Sequence, residues 1–124
     1  MKPRDLEKKV KGNIEKLGYL VDQAFFNVKH LPGGRIIANK VDFAHVFDLI
    51  AYKQDMPILL IQVCLKNAVP AHQKKIDSMF KMHSCPQFRV ILVAVSTRPM
   101  GKRTKYLYTM IERYEKEWVT IDTL

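Results

Sequence analysis

The chain has 124 residues, of which 48% are hydrophobic and 27% charged, and 21 Lys+Arg against 12 Asp+Glu give a formal net charge of +9. That length suits one folded domain and is too short for two independent cores. The composition excludes a disordered chain, and the basic excess favours a polyanionic partner: nucleic acid first, an acidic membrane surface second.

The N-terminus, Met1 to Lys9, is too charged for a signal peptide. The most apolar stretch, Met56 to Leu65, is broken by Gln62 and too short to span a bilayer. The expectation is therefore an intracellular protein of the cytoplasm, nucleoid-associated if it acts on DNA, with no membrane partner. Cys64 and Cys85 do not make a disulfide scaffold, and no Cys-x-x-Cys, His-Glu-x-x-His or phosphate-loop pattern is present. His83 and Cys85 read as a helix end and a turn rather than as zinc ligands.

Lys2 to Leu17 reads as a helix, with Leu6, Val10, Ile14 and Leu17 on one stripe and Gly18 as its stop. Tyr19 to Val28 is rich in aromatic and β-branched residues and reads as a strand. Pro32-Gly33-Gly34 is a turn, and Arg35 to Lys40 fits a strand or an ordered loop equally. A hairpin follows, Val46 to Tyr52 and Ile58 to Lys66, joined by Lys53 to Pro57. Pro70 opens a second helix lined by Ile76, Met79, Phe80 and His83. Phe88 to Val95 is a strand buried on both faces. A last helix is expected from about Lys102 to Trp118, on a stripe of Leu107, Met110, Ile111, Tyr114 and Trp118. The fold class is α/β in the order α-β-β-β-α-β-α, a mixed sheet flanked by helices. Its core lies at about residues 4–96, followed by the C-terminal helix.

The hairpin carries the chemistry. Phe47, Leu49, Ala51, Leu59, Ile61, Val63 and Leu65 make one wholly apolar face. The other face is interrupted only by Asp48, Gln62 and Lys66. A loop of Lys53 to Pro57 pairs Tyr52 with Ile58 and so sets Asp48 opposite Gln62. A half-buried carboxylate needs a partner, and a neutral Gln does not balance its charge. A bound cation would. The Asp48 carboxylate, the Gln62 amide oxygen and the neighbouring Val63 carbonyl are hard oxygen donors suited to Mg²⁺, or to Mn²⁺.

Phe47-Asp48-Leu49-Ile50-Ala51 followed by Leu60-Ile61-Gln62-Val63-Cys64-Leu65-Lys66 resembles the PD-(D/E)XK nuclease superfamily, the restriction-endonuclease-like fold. Its small relatives of this kind are the archaeal-type Holliday junction resolvases. The resemblance spans roughly Leu6 to Val95 and rests on a short, degenerate motif. It implies a metal-dependent endonuclease acting on branched or structured DNA, working as a homodimer in recombination and repair. Asp48 takes the place of the metal-binding Asp and Gln62 that of the Glu. Glu7 resembles the helix carboxylate that approaches the metal. Cys64 stands where the family has its catalytic Lys, and Lys66 is the candidate replacement. The alternative is a catalytically impaired module on the same fold that binds nucleic acid without cutting it. In either case Lys8, Lys9, Lys11, Arg35, Arg98, Lys102, Arg103 and Lys105 are the candidate phosphate contacts, the last four with help from the dipole of the C-terminal helix.

Overall fold

A computed structural model describes residues 3–30, 33–34, 36–41, 46–82 and 88–124. Helix α1 runs Pro3–Glu15, and its Leu6, Val10 and Ile14 are buried at the expected spacing. It ends in a tightened turn, with the Leu17 and Gly18 N–H groups bonded to the carbonyls of Ile14 and Glu15. Gly18 then adopts a φ of +93°, open to glycine at little cost. Leu17 falls beyond the helix and is exposed.

The first strand expected from sequence divides in two. β1 is Leu20–Gln23 and β2 is Phe25–His30. At buried Ala24 the backbone N–H is taken by the Asp48 carbonyl at 2.8 Å. β1 stays in the main sheet, while β2 pairs antiparallel with β3, Ile36–Val41, in a separate two-stranded sheet. The segment that fitted strand or loop equally is thus a strand.

β4, Leu49–Tyr52, and β5, Ile58–Leu65, pair in the expected register, Leu49 with Ile61 and Ala51 with Leu59. A short 3-10 turn, Lys66–Ala68, leads into α2, Val69–Met82, and then β6, Phe88–Met100. β5 and β6 pair in parallel, as a helical crossover requires.

The C-terminal third overturns the expectation. Where a helix from about Lys102 to Trp118 was expected, there are two strands, β7 (Arg103–Tyr114) and β8 (Glu117–Ile121). Gly101-Lys102 is a two-residue loop from β6 into β7, and Glu115-Lys116 is another from β7 into β8. The φ of +63° at Gly101 suits the first position of a tight hairpin turn. Period-2 alternation explains the segment better than the helical stripe. Tyr106, Tyr108 and Met110 pack with the α1 cluster, and Ile111 packs with the α2 cluster. The β-branched and aromatic content between Thr104 and Ile121 is strand chemistry.

The result is a six-stranded mixed sheet, β1-β4-β5-β6-β7-β8, between two helices. On one face Val21, Leu49, Leu59, Ile61, Ile91 and Val93 pack on α1. On the other, Phe47, Cys64, Val90, Leu92 and Ala94 pack with Ile76 of α2. Asp77 of α2 accepts bonds from Arg113 Nε at 2.7 Å and Trp118 Nε1 at 3.2 Å, and the Arg113 guanidinium lies over the Phe80 ring. These contacts tie α2 to β7 and β8. Among the described residues no helix is long and apolar enough to cross a membrane.

Candidate functional site

The β4–β5 ladder gives way just before Leu49. The Asp48 N–H bonds to the Ile61 carbonyl at 2.9 Å, one residue off the register that pairs Leu49 with Ile61. Asp48 therefore sits in a bulge-like irregularity at the start of β4, which reverses the alternation. Phe47, expected beside Leu49, packs in the α2 cluster while Leu49 packs in the α1 cluster. The Asp48 carboxylate fills the gap in the ladder by accepting the Val63 N–H through Oδ2 at 2.8 Å. Gln62 Nε2 donates to the Val63 carbonyl at 3.1 Å. Asp and Gln thus hold the N–H and the C=O of one residue between them.

Glu7 reaches the same end of the sheet from α1. Its Oε2 accepts from Gln23 Nε2 at 3.3 Å, and the next residue, Ala24, is bonded to the Asp48 carbonyl. Glu7 is only 4% exposed, Asp48 2% and Gln62 6%. They are three of the four buried polar or charged side chains identified among the described residues; the fourth, Glu112, is paired with Arg89. Gln23 is the member that sequence reasoning missed, because a Gln ending a strand carries no signal of its own.

Glu7 approaches over the α1 face, whereas Gln62 alternates with Ile61 and Val63 and belongs to the α2 face. Among the described residues no group of three His, Cys, Asp or Glu side chains is placed to hold a metal ion. The donors present are oxygen in kind, namely Asp48, Gln62 and the Val63 carbonyl, with Glu7 nearby through Gln23. They match Mg²⁺ in chemistry, with less negative charge than two facing carboxylates would supply.

Lys66 does not extend β5 as expected. It opens the 3-10 turn beyond the strand and is exposed, lining a cleft beside the start of α2. Cys64 occupies the lysine position on the face of β5 toward α2. Burial, and then the nearby Asp48 charge, push its thiol from 9.0 up to about 11. It is a neutral group at pH 7 and supplies neither a cation nor a thiolate nucleophile.

That shift has a testable sign. A thiol harder to ionise when folded adds stability below its unfolded pKa, and the contribution disappears as pH rises through the folded value. The stability difference between the parent and Cys64→Ala should be constant below about pH 9 and shrink toward pH 11. Urea melts across that range measure it; a difference independent of pH would show that Cys64 does not titrate in this environment.

The basic clusters separate. Lys8 and Lys9 are exposed and Lys11 half-buried on α1. Arg98, Lys102, Arg103 and Lys105 lie on the β6–β7 hairpin, so no helix dipole assists them. Arg98 is directly opposite Lys105, and Arg103 opposite Met100. These strand residues share the face of Ala94, the side of α2, opposite the α1 lysines. Arg35, His83 and Cys85 lie outside the described residues.

No protein-family model matches the chain, and neither the curated proteins nor the solved structures give a match.

Proposed function

We propose that this chain is a metal-dependent endonuclease acting on branched or structured DNA, with its centre at Asp48, Gln62 and the Val63 carbonyl. The observation that carries the reading is their burial. Asp48 and Gln62 are desolvated near one end of the sheet, where they hold the N–H and C=O of Val63 and set oxygen donors beside that carbonyl. The same residues are the ones that the resemblance to PD-(D/E)XK nucleases selects. A bound Mg²⁺ would polarise a phosphodiester and lower the pKa of a bound water. Asp48 and the Val63 carbonyl would hold it. The hydrogen bonds to Val63 hold the Asp48 carboxylate and the Gln62 amide beside that carbonyl. The test is incubation with labelled four-way-junction DNA, with Mg²⁺ or Mn²⁺ and then with a chelator. Metal-dependent strand cuts support the reading, and an intact junction under all conditions rejects it. The resemblance also implies a homodimer, which sedimentation of the free protein checks.

A second reading, binding without cutting, is favoured by the Lys position. Neutral Cys64 stands in the strand, and Lys66 has left it for the adjacent cleft. Both readings draw on the same polyanion-binding surface. Like charges directly opposite in a sheet repel, yet Arg98 and Lys105 face each other, and among the described residues none of the hairpin cations is paired with a carboxylate. Arg98→Glu should relieve that repulsion, leaving thermal stability unchanged or slightly raised. It should weaken DNA binding about tenfold or more and flatten the salt dependence. Melting and fluorescence anisotropy across ionic strength read the two effects, and unchanged affinity would remove the hairpin from the interface.

A further inference from the structure

The cleft that Lys66 enters lies next to the candidate centre, on the α2 face. Its volume is about 310 Å³, within the size range of small-molecule sites, roughly 300–1,000 Å³. Val69, Pro70, Ala94 and Ile111 give it apolar walls, and Ser96 and Thr109 bring hydroxyl groups. Ala94 is the β6 partner of Cys64, so the cleft begins one strand away from Gln62 and Cys64.

Strand pairing continues this face outward. Ala94 is opposite Thr109, Ser96 opposite Leu107, Arg98 opposite Lys105 and Met100 opposite Arg103. Directly paired side chains share a face, and alternate residues along a strand do too. The cleft therefore runs onto the cationic strip without crossing the sheet. From Ala94 to Arg98 is four residues, about 13 Å at strand rise. A cation at one end (Lys66), an apolar slot with hydroxyls, and beyond it a strip of cations unpaired among the described residues match one chemistry: a phosphate backbone carrying a planar, largely apolar ring with polar edges.

We propose that this cleft receives an unstacked nucleobase from a single-stranded segment whose phosphates follow Arg98, Lys105 and Arg103. The inference rests on the nucleic-acid reading above and sharpens its substrate class: DNA with unpaired nucleotides beside the cut site, in preference to continuous duplex. A duplex keeps its base faces stacked and offers only its backbone to the strip. A single strand offers both, so it is expected to bind about tenfold more tightly than duplex, a difference of about 1.4 kcal/mol.

Thr109→Trp tests this, because Thr109 is exposed on the cleft wall and its enlargement fills the slot without entering the core. Anisotropy with a single-stranded oligonucleotide should show affinity falling about tenfold, while duplex binding is unchanged. As a measurement independent of that variant's folding, a single strand with abasic sites should bind the parent protein as weakly as the intact strand binds Thr109→Trp. Equal affinity of the parent for abasic and intact strands, or equal losses on single strand and duplex in the variant, overturns the base site. Retention of both affinities in Arg98→Glu/Lys105→Glu would overturn the path of the phosphates along the strip, whereas no measurable affinity of the parent for either single strand or duplex would overturn the nucleic-acid reading itself.

Discussion

Asp48→Asn is expected to fold, to bind DNA as the parent does, and to lose metal-dependent cleavage by at least about a hundredfold, since metal assistance is worth several kcal/mol. The argument separates two jobs done by one carboxylate. Its Oδ2 accepts the Val63 N–H and so completes the irregular start of the β4–β5 ladder. Asparagine keeps a carbonyl oxygen that can accept the same bond. What it loses is the negative charge that a cation needs. Asp48→Ala removes both. At a residue 2% exposed it leaves the Val63 N–H without its acceptor, costing about 1–3 kcal/mol. The pair of variants therefore distinguishes chemistry from scaffolding: Asn should separate activity from stability and Ala should damage both. Cleavage by Asp48→Asn at the parent rate would place the metal elsewhere or remove it from the reaction. Circular dichroism, chemical denaturation and the junction assay on the same samples provide the comparison.

The β4–β5 hairpin that carries Asp48 is legible in the sequence because burial on two faces constrains a strand tightly. The apolar face from Leu59 to Val63 and the loop at Lys53–Pro57 left one workable register for the hairpin, and Leu49 opposite Ile61 is that register. The irregularity at Asp48 was not legible. Nothing in Val46-Phe47-Asp48-Leu49 marks where alternation reverses, since Phe47 and Leu49 satisfy either face. Lys66 was misplaced for a related reason: counting by twos assumes that the strand continues, and β5 stops at Leu65. The burial of Glu7 depends on α1 crossing the end of β1, a tertiary fact absent from a locally charged helix. The C-terminal error came from choosing the wrong period. Leu107, Met110, Ile111, Tyr114 and Trp118 fit a helical stripe, but Tyr106, Tyr108 and Met110 fit alternation as well. The deciding signal is Gly101-Lys102, a two-residue loop between runs of similar strand chemistry. That correction shapes the functional argument. A helix would have placed the basic residues at a dipole, whereas the hairpin places Arg98 against Lys105 on the face that leads to the cleft.

The largest stability effect is expected at Glu112→Ala. Glu112 is 5% exposed on β7 and takes two bonds from one guanidinium: Arg89 Nε to Oε2 at 2.8 Å and Nη2 to Oε1 at 2.7 Å. The hydrogen bonds to Glu112 raise the Arg89 pKa further, against the opposing pull of burial, so the guanidinium stays charged at any accessible pH. Removing the carboxylate therefore cannot be relieved by deprotonation. It leaves a cation that is about a quarter exposed, at 24%, without its partner. Removal of one member of a buried pair costs about 3–5 kcal/mol, and the solvent that Arg89 retains reduces this to about 2–3 kcal/mol. For a chain of this size that lowers the melting temperature by about 10 °C. The pair sits on the α1 face, since Glu112 is the ladder partner of Ile91, and so is separated from the cleft and the cationic strip. DNA affinity measured well below the melting temperature should not change. The double variant Arg89→Met/Glu112→Leu removes the stranded charge together with its partner and should recover most of the loss, because apolar side chains of similar size substitute well for a buried ion pair. If Glu112→Ala alone melts with the parent, the two strands are held by backbone pairing and apolar contact, and the ion pair contributes only specificity of register.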